Sequence, residues 1–115
     1  MGTIQHHAII ITTWERERAE AFRARAVEIA YGISDFRGEA LAGMISPVVL
    51  SAANGFATLL IAPDGSKEGW PCSEDGDRFR AALREAFRDE MAGDDWIEVG
   101  YGELGLSVKE KIDGA

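Results

Sequence analysis

Three consecutive isoleucines, Ile9, Ile10 and Ile11, constrain this chain more than any other feature of its sequence. They sit in a segment from Gln5 to Thr13 and put a β-branched, apolar side chain on both sides of a pleat, the mark of an interior strand. A helical pattern follows at once. Thr12 with Glu15 reads as a capping box, Gly32 as a C-terminal stop, and Ala19, Phe22, Ala26, Ile29, Ala30 and Ile33 recur at helical spacing between them.

The stretch from Ser34 to Ser46 has no clear period and reads as a loop or a short irregular edge strand. Pro47 opens a strand over Val48 to Ala52, and Asn54-Gly55 then gives the strongest short-range hairpin signal, because both residues tolerate the positive φ of a type I′ turn. The returning strand is Phe56 to Ala62, closed by Pro63-Asp64-Gly65. After a polar loop, Ser66 to Cys72, Ser73 or Asp75 can cap a second helix whose apolar face is Phe79, Ala82, Leu83, Ala86 and Phe87, with Gly93 as its stop. Trp96 to Tyr101 alternates as a strand with Ile97, Val99 and Tyr101 on one side. The tail, Gly102 to Ala115, can add a strand or pack on a partner chain. The order β-α-β-β-α-β plus a C-terminal tail predicts one α+β domain over residues 1–115, an antiparallel sheet with two helices on one face. The other face then meets water or another subunit.

Charge narrows the function. Twelve Lys and Arg against twenty Asp and Glu leave a net charge of −8, which disfavours binding to a nucleic acid polymer or an anionic membrane surface. The longest apolar runs are far too short to span a bilayer, no secretory signal is legible, and the single cysteine, Cys72, points to a reducing compartment. A cytoplasmic location is expected.

Catalytic and metal chemistry is thinly represented. His6 and His7 are adjacent on a strand and so point to opposite faces, where they cannot chelate one ion. Asp75-Gly76-Asp77 lacks the remaining ligands of a calcium loop and reads better as helix-capping carboxylates. Nothing in the sequence places a base beside Cys72. Neither a metal nor a cofactor is expected, and the chain is expected not to be an enzyme.

Arginines and aromatics say more. Eight of the nine arginines lie in the two helices, most of them beside acids. Arg18 and Arg25 flank Phe22 and Ile29 on the border of the buried stripe, where each either snorkels over the core or faces an anion. Gly65 and Ser66 can turn backbone N–H groups toward an anion and Lys67 can add charge. Trp70, between Gly69 and Pro71, either plugs the end of the core or forms an aromatic wall for a base.

The segments His6 to Trp14, Ser46-Pro47 with Asn54-Gly55-Phe56, Ala62-Pro63-Asp64-Gly65-Ser66-Lys67-Glu68-Gly69-Trp70, and Asp95 to Val99 with Tyr101-Gly102 resemble the first class of phage Thoeris anti-defence proteins. Those proteins are sponges for cyclic ADP-ribose signals, and the resemblance runs from about Gln5 to Gly102. It implies a binding protein that sequesters glycocyclic ADP-ribose isomers without cleaving them, acting as a homodimer, in some cases as a hexamer, in the cytoplasm of the infected bacterium. Certain relatives also hold cyclic oligonucleotides of CBASS-type defence. The implied ligand-binding residues are Trp14, Arg18, Arg25, Asn54, Asp64, Ser66, Lys67, Trp70, Arg78 and Phe79, with Arg80 a further phosphate contact; the arginine expected after Gly102 is missing. Two other classes stay open: a small hydrolase of nucleotide signals, and a protein–protein inhibitor of a host defence effector.

Overall fold

The computed structural model describes residues 3–34, 37–67, 69–88, 90 and 94–112. Strand β1 (Gln5–Thr13) is central, as the isoleucine run predicts, and is followed by α1 (Arg16–Ile33), α2 (Gly38–Ala42), β2 (Val49–Leu50), β3 (Ala57–Ile61), α3 (Pro71–Phe87), β4 (Asp95–Gly102) and β5 (Ser107–Ile112). The five strands form one antiparallel sheet in the order β2-β3-β1-β4-β5. This is the split β-α-β arrangement expected from the element order, an α+β fold with the helices packed on one face.

The core lies between that face and the helices. Ile9, Ile11, Leu59, Ile61 and Trp96 rise from the sheet to meet Ala19, Phe22, Ala26 and Ala30 of α1 and Phe79, Leu83 and Phe87 of α3. Phe87 links the layers, with its ring centroid 5.0 Å from that of Phe22 and 6.0 Å from that of Trp96. Polar groups brace the same side: Gln5 donates to the Gly105 carbonyl and accepts from the Leu104 amide, which ties β1 to the β4–β5 turn.

Several expectations need correction. The Thr12–Glu15 capping box does not form, because Thr12 still belongs to β1 and its hydroxyl bonds that of Thr58 at 2.9 Å; Glu15 itself is the residue before the helix. Ser34 to Ser46 is not all loop or strand, since Gly38–Ala42 is helical and buries Leu41. Helix α3 starts at Pro71, whose fixed φ suits a first helical position, so Ser73 and Asp75 lie within it instead of capping it. The strand before the hairpin is only Val49–Leu50. The hairpin turn itself holds, with φ of 65° at Asn54 and 70° at Gly55. Gly93, the expected stop of the second helix, is outside the described residues. The tail adds β5, the partner of β4.

Candidate functional site

The ten expected site residues do not converge. Trp14, Arg18 and Asn54 lie at the end of the sheet where β1 finishes and β3 begins, whereas Lys67 bridges Ile4 beyond the opposite end of β1. At roughly 3.4 Å per residue those ends are about 30 Å apart. Arg25 is on the exposed side of α1, and Phe79 is fully buried in the core.

At the first end Arg18 is held by protein groups. Its Nε donates to the fully buried Asp94 carboxylate and an Nη to the Glu90 carbonyl, and its guanidinium lies 5.2 Å from the Phe22 ring and 6.0 Å from that of Trp14. A hollow of about 370 Å³ opens beside it, lined by Arg18, Ala21, Phe22 and Glu90.

The second end, the head of α3, gathers more of the expected residues. Asp64 folds back onto the helix: one carboxylate oxygen accepts from the Ser66 amide at 2.8 Å, and the other meets Arg80 at 3.2 Å. That approach requires a glycine at position 76, where a Cβ would stand 2.2 Å from the Asp64 oxygen. The Ser66 amide is therefore directed into its own loop, and Arg80, almost fully buried, is shared between Asp64 and Asp77. The other cations are placed differently. Asp75 alone serves two guanidiniums, those of Arg37 at 3.1 Å and of Arg78. Lys67 Nζ lies 5.5 Å from the Trp70 ring, and Trp70 is 55 % exposed, so it does not plug the core. A cavity of about 190 Å³ beside this corner is lined by Arg37, Ala40, Leu41, Met44, Asp64 and Cys72, and Arg37 also contacts the exposed Cys72 thiol.

Sequence reasoning passed over one polar cluster. Glu98 is buried on the helix side of β4, and Arg84 of α3 grips both of its oxygens at 2.5 and 2.6 Å. His7, also buried, projects from the same face of the adjacent strand, two residues out of register with Glu98. The strand alternation alone could have flagged Glu98 and His7 as inward-facing, because they share the parity of Trp96 and Ile9 respectively. Among the described residues no group of three or more His, Cys, Asp or Glu is placed to hold a metal ion, and no helix is long and apolar enough to cross a membrane.

Neither a scan of protein-family models nor a search of curated proteins finds a match to this chain. Among solved structures, the chain is similar to a phage SAM lyase in complex with S-methyl-5'-thioadenosine, at 15% identity and a TM-score of 0.44, over 97% of this chain and 92% of that one. The comparison corrects the expectation that the chain is not an enzyme, since the protein it resembles is one. The expectation rested on motif spacing along the chain, which does not reveal pairs such as Arg84 and Glu98 that only the fold brings together.

Proposed function

We propose that the protein binds a cyclic adenine nucleotide at the head of α3 and so withdraws an immune signal from its receptor, a glycocyclic ADP-ribose isomer being the first candidate and a CBASS-type cyclic oligonucleotide the second. The observation that carries this reading is the exposed indole of Trp70 with the Lys67 ammonium beside it, at the start of the helix whose Asp75 is shared by two arginines, Arg37 and Arg78. An exposed aromatic plane takes a base, and guanidiniums not fully matched by acids take a pyrophosphate. The sequence resemblance to the Thoeris sponges supports the same ligand class.

Calorimetric titration of a cyclic ADP-ribose isomer tests the reading. Saturable binding by the wild type, lost in Trp70→Ala and weakened at least tenfold in Arg78→Ala, is the expected result. Absence of binding by the wild type to every isomer and to cyclic oligonucleotides overturns it. Chromatography of the ligand released by heat then shows whether it comes back unchanged or converted; linear ADP-ribose would make the protein a hydrolase of the same signal.

A further inference from the structure

Gly100 lies inside β4 without a positive φ, so what it supplies to the strand is space. In the register of the sheet it stands between His7 of β1 and Ser107 of β5. Side chains from both neighbours lean over it. A Cβ at this position would meet Ser107 Oγ at 3.1 Å, and His7 Nδ1 and Gln5 Nε2 each at 3.4 Å. His7 and Gln5 are buried, whereas Ser107 is open to solvent. A hydroxyl at the surface thus has an imidazole nitrogen and a carboxamide gathered behind it, although the sequence sets them at opposite ends of the chain.

We propose that Ser107 and His7 act as nucleophile and general base in the hydrolysis of aliphatic carboxylic esters. A serine hydroxyl is a weak nucleophile until a base takes its proton, and imidazole is the side chain that most often does so. His7 Nδ1 accepts the Ser107 proton as Oγ bonds to the carbonyl carbon, and the carbonyl π pair moves to oxygen. Gln5 gives one Nε2 hydrogen to the Gly105 carbonyl and has a second to offer that oxyanion. The oxyanion collapses, the C–O bond to the alcohol breaks, and the alcohol leaves with the proton from His7. Water then attacks the acyl group on Ser107 and passes a proton to His7; the carboxylic acid departs and the proton returns to Oγ. The substrate class follows from the surroundings. Leu104 and Leu106, 70 % and 81 % exposed, stand in the turn that leads into Ser107, and Gln5 holds that turn in place. They give an alkyl acyl chain an apolar rest beside the nucleophile. A net charge of −8 turns away anionic esters, so the alcohol part is uncharged or cationic.

Hydrolysis of p-nitrophenyl butyrate tests the site with no nucleotide present, so its outcome is separate from that of ligand binding at the head of α3. The expected result is a burst of one p-nitrophenolate per chain and a butyryl adduct on Ser107 in the mass spectrum. Ser107→Ala, at an exposed position where folding is not at stake, should lose the adduct and lower kcat/KM by about a hundredfold or more. His7→Gln should slow acylation by a similar factor with an unchanged circular dichroism spectrum. Gly100→Ala fills the space between the two groups and should slow acylation at least tenfold; it decides the pairing should His7→Gln not fold. A wild type that forms no adduct overturns the proposal. So does wild-type turnover by Ser107→Ala, or wild-type acylation by a folded His7→Gln.

Discussion

Ile9, Ile10 and Ile11 are chemically identical neighbours, yet Ile9 and Ile11 are 0 % exposed and Ile10 is 40 % exposed. The two faces of one sheet thus have similar composition and different fates. Under the helices, apolar side chains are close-packed and the buried Glu98 is matched by Arg84. On the other side, equally apolar side chains have no layer of described residues over them. Burial here is a property of what lies opposite a residue, not of the residue.

The sharpest way to break that comparison is a pair of truncations one residue apart. Leu59→Ala, on the covered face, should cost about 2–5 kcal/mol in denaturant unfolding, because it leaves a cavity the core cannot fill. Leu60→Ala should cost less than about 1 kcal/mol under conditions where the chain is monomeric. Equal costs would mean that both faces are covered in solution. Arg84→Ala comes next, at about 3 kcal/mol by the same measurement, since it strands the Glu98 carboxylate in the core; Arg84→Met with Glu98→Leu should recover most of the loss. Gly76→Ala should cost about 1–3 kcal/mol and lower the melting temperature, because the new methyl displaces the Asp64 carboxylate from Arg80. Trp70→Ala is the smallest, within about 0.5 kcal/mol of wild type in thermal unfolding, because over half of the side chain is already in water. A larger loss would place Trp70 in the core and remove the aromatic plane on which the proposed ligand stacks.

How much of the site was legible follows the range of the interactions. The Asn54-Gly55 turn is local, and its backbone geometry is as its residues require. The cluster at the head of α3 was partly legible, since Asp64, Ser66, Lys67 and Trp70 are close in sequence and remain close in space. Arg37, which completes it, comes from an α1–α2 connection that has no clear period in sequence. Arg18 showed its helix-border position but not its partner, because Asp94 lies 76 residues away. Of the two roles the sequence left open for Trp70, its exposure excludes the core plug, and Lys67 beside the ring offsets the general cost of exposing an indole.

The sequence by itself determined the order of the elements apart from α2 and β5, the turn that pairs β2 with β3, and the centrality of β1, because turn chemistry and apolar periodicity act over a few residues. Only the tertiary structure decided which side of β1 the helices cover, which carboxylate each arginine meets, and that the expected binding residues divide between two ends of the sheet, with Arg25 on the outside of α1 and Phe79 in the core. A pleat sets two faces by alternation, but in an isoleucine run both are apolar, and nothing local distinguishes them. The choice follows from where α1 and α3 pack, which depends on contacts made across the whole chain.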